Sequence, residues 1–250
     1  MVTKSSLPSL AVITIAKDDV AALTETLDSI LNQSCLPDQL IIVSRGIEIA
    51  PFNLKSMRLT WIKDRDSSLY DAMNIGLNHV TSDGYMFLNA GDFFISESAV
   101  STIKNHLNAG VVLAYVTQQS YCSQKWIRPN PTRYNNFLKY CGHQSVVFTS
   151  QFLYLRFDLH KGIAADLTYM SRVFAQASGI MLIKNQALVE FRLGGLSNYP
   201  SITSIKLRFR ASLKQGFLEC AKFLLHKLLG SQTAYRLLAW YRHFQQICTE

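Results

Sequence analysis

The chain has 250 residues, 48% hydrophobic and 17% charged, the make-up of a globular protein with a full core rather than of a disordered one. Its five cysteines, Cys35, Cys122, Cys141, Cys220 and Cys248, are odd in number and form no CxxC pair, so a disulfide scaffold and a zinc site are not expected and a reducing cytoplasm is the simpler setting. The net charge of +8 gathers at one end: residues 201–250 hold four Lys and four Arg against Glu219 and Glu250, a local +6 that points to an anionic membrane surface or nucleic acid as partner. Met1–Ser9 has one Lys and no apolar stretch of the signal-peptide kind. No apolar run approaches the roughly 18–20 residues that span a bilayer.

Leu10–Ile15 (LAVITI) is nearly continuous in apolar residues, as expected of a central parallel strand buried on both faces. Asp18 or Asp19 offers an N-cap, and Val20, Leu23, Leu27, Ile30 and Leu31 recur at helical spacing, so Asp19–Asn32 is a predicted amphipathic helix. Pro37 marks a connection to a second strand, Leu40–Val43. This opening is βαβ, as in many nucleotide-binding folds. No GxGxxG follows the first strand and no GxxxxGK[ST] occurs, which argues against a Rossmann dinucleotide enzyme and a P-loop NTPase. Leu59–Ile62 and Tyr85–Leu88 read as buried strands, with a helix over Tyr70–Val80 between them. They are expected to be parallel neighbours. Asp64 and Asp66 follow the first of these strands, Asp71 and Asn74 open the helix, and Asn89 and Asp92 follow the second strand. Ligands of open parallel sheets sit off the carboxyl ends of the strands, so a crevice lined by these carboxylates and amides is predicted.

Further on, Glu97–Leu107 reads as a helix and Val111–Tyr115 as a strand. Tyr121–Arg128 reads as an edge strand or flap, broken by Pro129 and Pro131, and Thr132–Tyr140 as a mobile loop or short helix. Cys141-Gly142-His143-Gln144-Ser145 precedes a strand, Val146–Phe148. Cys141 and His143 are too close in sequence for a nucleophile–base dyad, and no orienting acid is evident, so a hydrolase is discounted. Ile163–Phe174 should be a helix with Asp166 in its first turn. Ile180–Ile183 and Leu188–Phe191 read as two strands and Gly194-Gly195 as a flexible turn. Between Ile202 and Phe244, Phe217, Leu218, Cys220, Ala221, Leu224, Leu225 and Leu228 form an apolar face beside Lys214, Lys222, Lys227, Arg236 and Arg242. Such a basic amphipathic helix pair suits a membrane surface, or its apolar face packs on the preceding domain. No zinc finger, RRM or helix-turn-helix signature accompanies the charge, so nucleic acid is not the expected partner.

Seven stretches in order carry a resemblance: ITIA closing the first strand, TLDSILNQS, DSSLYDAMNIGL, FLNAGD, HQSVVF, IAADLTYMSRVF and EFRLGGLSN. From Leu10 to Asn198 the chain resembles the family 2 glycosyltransferases of the GT-A fold, above all the short bacterial enzymes of exopolysaccharide, colanic-acid-type or O-antigen assembly. The resemblance implies an α/β GT-A fold over residues 1–200, a mostly parallel central sheet flanked by helices, with a Rossmann-like nucleotide-binding half and an acceptor half. A basic amphipathic helical extension then covers residues 201–250.

The same resemblance assigns roles. Asp66, Tyr70, Asp71 and Asn74 match the family's motif position for position and, with Ala16 and Asn89, would line the donor pocket. Asn89-Ala90-Gly91-Asp92 takes the place of the DxD motif, so Asp92 would hold Mg2+ or Mn2+, the donor's diphosphate supplying most of the remaining ligands. Asp166 matches the catalytic base, and His143 and Gln144 would contact phosphate or acceptor. Structural reasons compete with several of these roles, since Asp71 and Asp166 each sit where a helix macrodipole favours an anion. One departure is plain: the family's acidic, glycine- and serine-rich turn after the second strand is here Ser44-Arg45-Gly46-Ile47-Glu48, which removes the basis for a uridine preference. The implied activity is inverting transfer from a nucleotide-sugar donor to a lipid-linked glycan acceptor in bacterial surface polysaccharide synthesis, on the cytoplasmic face of the inner membrane, with the tail on anionic lipid. The alternatives are a non-catalytic GT-A scaffold in a polysaccharide assembly complex, and a sugar nucleotidyltransferase. The latter needs a glycine-rich phosphate loop and a basic residue after the first strand, where only Lys17 stands.

Overall fold

The structure, a computed structural model, describes residues 7–47, 57–63, 68–121, 124–135, 137–139, 141–193, 202, 205–206 and 213–247. They belong to two units, Met1–Gln118 with Asn130–Phe191, and Gln119–Pro129 with Arg192–Glu250. Asp64, Asp66, Glu48 and the Gly194-Gly195 turn lie outside the described residues.

In the first unit, β1 (Leu10–Lys17) is buried from Leu10 to Ala16. Its side chains alternate between two cores, as the pleat of a strand requires. Ala11, Ile13 and Ile15 meet Tyr70, Met73 and Leu77 of α2 (Leu69–Leu77) on one side. Leu10, Val12 and Ala16 meet Leu23, Leu27 and Ile30 of α1 (Val20–Leu31) on the other. Asp19 caps α1, its carboxylate accepting the Ala22 N–H at 2.9 Å. Ser68 caps α2 by accepting the Asp71 N–H at 3.2 Å.

The strands β2 (Gln39–Arg45), β3 (Arg58–Lys63) and β4 (Gly84–Phe87) extend a parallel block in the order β3-β2-β1-β4. The strands on either side of α2 are therefore parallel but not neighbours: β3 pairs with β2 and β4 with β1. The reason lies in their side chains. The doubly apolar β1 needs cover on both faces and takes the centre, whereas β3 is only half buried and suits the edge. The crossover helix α2 consequently lies over β1 and β2. Gly76 makes that approach possible, since a Cβ there would stand 2.6 Å from Ile13 Cγ2 and 3.6 Å from Val43 Cγ2.

Beyond β4 the sheet turns antiparallel through β10 (Val146–Thr149), then continues through β6 (Val111–Tyr121) and β11 (Gly179–Arg192) to β5 (Phe93–Phe94). The sheet is thus mixed, its parallel half made of β1 to β4. The helix α3 (Ala99–His106) covers the core of α1, and α4 (Ala165–Gln176) covers the core of α2.

Two expectations are corrected here. Thr132–Tyr140 holds an antiparallel hairpin, β8 (Thr132–Tyr134) and β9 (Phe137–Lys139), rather than a loop or helix. Its turn uses Asn135 at φ 53°, a conformation that Asn tolerates better than most residues. The two strands expected after α4 are one, β11, in which Asn185 takes φ 57° in mid-strand. Asn130 holds that kink from both sides, its Oδ1 accepting the Asn185 N–H at 2.7 Å and its Nδ2 donating to Asn185 Oδ1 at 3.0 Å.

In the second unit β7 (Gln124–Ile127) pairs with β6, and Trp126 Nε1 donates to Gln119 Oε1 at 3.3 Å. The helix α5 spans Leu213–Ile247 and is interrupted at Gly230, whose φ of 74° and ψ of 156° are not helical. Leu213, Phe217, Leu224 and Leu228 share one helix face and are exposed, Leu228 at 80%. Glu219, Lys222 and His226 are half-buried, and Lys222 pairs with Glu219 at 3.2 Å. The apolar stripe thus faces outward, while these polar side chains are the more covered. Among the described residues no helix is long and apolar enough to cross a membrane.

One bond pair joins α2 to the segment before α4. Asn74 Nδ2 donates to the Phe157 carbonyl at 3.0 Å, and Asn74 Oδ1 accepts the Phe157 N–H at 2.8 Å. Asn74→Ala leaves both backbone groups without these partners and is expected to lower the unfolding free energy by about 2 kcal/mol in urea titrations. A loss below about 0.5 kcal/mol would show that the clamp contributes little.

Candidate active site

The carboxyl end of β4 runs into Asn89-Ala90-Gly91-Asp92, a tight turn closed by the Asp92 N–H donating to the Asn89 carbonyl at 2.9 Å. Gly91 stands at φ 93°, where a side chain is rarely accommodated. Thr26, on the buried face of α1, anchors this turn. Its hydroxyl accepts the Gly91 N–H at 3.0 Å and lies 2.8 Å from the Asp92 carbonyl, to which it donates. Asp92 itself is buried, at 5% exposure.

Four sequence-predicted residues converge beyond this turn. His143 opens a 3-10 turn, His143–Ser145, ahead of β10 and is buried. Its Nε2 lies 3.5 Å from Asn89 Nδ2, and its Nδ1 lies 3.5 Å from Asp166 Oδ2. Asp166 stands in the first turn of α4, a helix without a capping side-chain bond, and its Oδ1 accepts the Leu167 N–H at 2.7 Å. Tyr70, from α2, hydrogen-bonds to Asp166. Burial first, and then the charge and hydrogen bond of Asp166, push the Tyr70 hydroxyl far above its ordinary range, so it stays protonated and donates to the carboxylate.

The floor beneath them is aromatic. Tyr70 stacks on Phe157 at 5.6 Å and Phe157 on Tyr169 at 4.2 Å. The Tyr169 and Tyr85 hydroxyls meet at 2.6 Å, and burial raises both above the usual phenol range. Phe87 and His143 make an edge contact at 6.4 Å. Asp166 is thus a carboxylate beside Tyr70 and His143, its side chain 23% exposed.

The other candidates stand apart from this group. Asp71 is in the first turn of α2, Ala16 packs in the core at the end of β1, and Asn74 spends its amide on Phe157. Gln144 is buried beside His143. The turn after β2 is held by structural bonds: Ser44 Oγ accepts the Trp61 Nε1–H at 2.7 Å, and the Arg45 carbonyl accepts the Asp18 N–H at 3.0 Å. Thr26, Phe157 and Tyr169 are contributors that the sequence reading missed. A lone Thr among the apolar positions of a helix face was the available signal for Thr26.

Among the described residues no group of three or more His, Cys, Asp or Glu side chains is arranged to hold a metal ion. Asp92 offers one carboxylate at the end of a parallel strand. That fits the hard-cation mode in which one or two carboxylates share the shell with phosphate oxygens and water.

No family model and no curated protein sequence matches the chain. Solved structures do match. S. aureus TarS, residues 1–349 in complex with UDP, aligns at a TM-score of 0.54 and 14% identity over 90% of this chain and 73% of that one. The same TarS fragment in complex with UDP-GlcNAc gives 0.55 and 14% over 90% and 74%. The mannosyltransferase PcManGT from Pyrobaculum calidifontis, in complex with GDP-Man and Mn2+, gives 0.54 and 13% over 87% and 65%. At such identities the likeness establishes the fold, a mixed α/β GT-A-like arrangement of a central sheet flanked by helices.

Proposed function

We propose that the chain is an inverting glycosyltransferase that moves a sugar from a nucleotide-sugar donor to a lipid-linked glycan acceptor in bacterial surface polysaccharide synthesis. The observation that carries this reading is Asp166, a partly open carboxylate held by Tyr70 and His143 beyond the carboxyl end of β4. Ligands of parallel sheets bind at that edge. The fold neighbours bound to UDP, UDP-GlcNAc and GDP-Man support a nucleotide-sugar donor.

In this reading Asp166 takes the proton of the acceptor hydroxyl as that oxygen bonds to the anomeric carbon, and the bond from that carbon to the diphosphate breaks on the opposite face. The donor-binding roles in this reading fall to Ala16, Asp66, Tyr70, Asp71, Asn74 and Asn89, with Asn74 acting through its hold on Phe157. The contacts to acceptor or phosphate fall to His143 and Gln144 in this reading. Asp92 holds Mg2+ or Mn2+ together with the donor's phosphates; when bound, such an ion supplies positive charge against the departing diphosphate. The Mn2+ of the mannosyltransferase neighbour supports a divalent ion.

The outward apolar stripe of α5 and the basic tail support peripheral attachment to an anionic membrane, which would bring the enzyme to a lipid-linked acceptor. On flotation, the full chain is expected to rise with anionic vesicles and not with neutral ones, and Phe217→Glu with Leu228→Glu to abolish the rise with anionic vesicles. A variant that rises with anionic vesicles as well as the wild type does would remove the membrane from the proposal.

For the chemistry, the full chain with Mn2+ or Mg2+ should consume one of a panel of UDP-, GDP- and dTDP-sugars with the native lipid fraction, read by mass spectrometry. Asp166→Asn should lower turnover by about 100-fold or more, and Asp92→Ala should remove the metal dependence of nucleotide binding. Inactivity on every donor, together with intact glycan assembly in cells carrying Asp92→Ala and Asp166→Ala, would overturn the proposal.

A further inference from the structure

We infer that His143 is a positioning residue: it delivers its Nδ1–H to Asp166 Oδ2 and fixes the aim of that carboxylate, while Asn89 holds the far side of the ring. This deepens the proposed glycosyl transfer and rests on that reading for its catalytic consequence, though not for its geometry.

Both ring nitrogens face groups of the protein. Nδ1 faces Asp166 Oδ2 and Nε2 faces the Asn89 amide, each at 3.5 Å, in a side chain only 9% exposed. A ring enclosed in this way, with one nitrogen toward Asp166, is placed to orient that carboxylate, a role distinct from a substrate contact.

The protonation pattern follows from what the neighbours can do. An ionised carboxylate only accepts, so the nitrogen facing it must carry hydrogen. This holds in either orientation of the Asn89 amide. With Nδ2 toward the ring, Nε2 is a bare acceptor, the ring is neutral, and Asn89 Oδ1 stays buried without a hydrogen-bond partner. With the amide turned over, Oδ1 gains a partner in an Nε2–H and the ring is an imidazolium. Asn89 therefore decides the state of the far nitrogen, and Nδ1 donates in both cases.

The consequence for Asp166 is directional. Its Oδ1 is tied to the Leu167 N–H at 2.7 Å, and Oδ2 faces His143. Tyr70 donates to the same carboxylate. The Leu167 N–H, the His143 ring and the Tyr70 hydroxyl, from three elements, flank the carboxylate and narrow its turning about the side-chain torsions. A base aimed in this way keeps its free lone pair on one line, and a misplacement of about 1 Å costs on the order of 100-fold in rate.

The test uses the full chain and reads the ring directly as well as turnover. In protein labelled with 15N-histidine, His143 is assigned by the signal that His143→Asn removes. Its Nδ1 should show the shift of a protonated nitrogen, and that shift should move in Asp166→Asn. A bare Nδ1, or a shift indifferent to Asp166→Asn, overturns the inference whether or not any donor is turned over. Kinetically, His143→Ala and His143→Gln should lower kcat by about tenfold or more with the donor KM within about twofold. His143→Asn, whose amide nitrogen can stand where Nδ1 stood, should recover kcat to within about threefold of the wild type. A raised donor KM at unchanged kcat would make His143 a substrate contact and overturn the positioning role. If no donor is turned over at all, the glycosyltransferase reading fails, and the nitrogen shifts alone decide between a ring locked to Asp166 and one that is not.

Discussion

A strand that is apolar on both faces cannot stop at one packed layer, and β1 imposes that demand on the first unit. Ala11, Ile13 and Ile15 require the layer built by α2 and α4, and Leu10, Val12 and Ala16 require the layer built by α1 and α3. Each apolar side chain taken out of water contributes on the order of 1.5–3 kcal/mol, so exchanging the strand for a polar one would undo both cores at once. With the strand interiors committed to packing, polar chemistry is left to the strand ends. The turn after β4, the turn before β10 and the start of α4 supply it, and Asn89, His143 and Asp166 sit on those three connections.

The site works by contrast of environments. Tyr70, which faces Asp166, belongs to a stack with Phe157 and Tyr169, while the Asp166 side chain stays partly open. A partly buried carboxylate interacts more strongly with any donor or cation near it than one in bulk solvent. The phenols of Tyr70, Tyr85 and Tyr169 are raised by burial and remain neutral, so they add no competing negative charge. Thr26 ties the Asn89–Asp92 turn to α1 through the Gly91 N–H and the Asp92 carbonyl, so that turn rests on an element that already belongs to a core.

Much of this was legible in the residues. Continuous apolar runs gave β1, β2 and β4, helical spacing gave α1, α2 and α4, and motif order assembled Tyr70, Asn89, His143 and Asp166 before any coordinate. What was not legible was which strands become neighbours. The spacing of β3, α2 and β4 is the same whether the strands pair or have two strands between them, and only the competition for the centre of the sheet decides. Asn135 and Asn185 were missed for a related reason, since a single left-handed residue leaves no periodic trace. Asn74 shows the limit of motif matching: its position agrees with a donor-pocket residue, yet its amide is committed to the backbone of Phe157. Phe157 carries no motif of its own and takes its importance from what stacks on it.

The row of Leu213, Phe217, Leu224 and Leu228 has a consequence in plain buffer, away from any lipid. Apolar side chains aligned along one helix are adhesive toward their own kind in another copy. The purified chain should therefore self-associate as its concentration rises, and mild detergent should disperse it by masking the ridge. The positive charge of the same segment opposes that clustering at low ionic strength and loses its reach as salt is added, so colloidal behaviour should worsen in the high-salt buffers usually chosen to keep basic proteins apart.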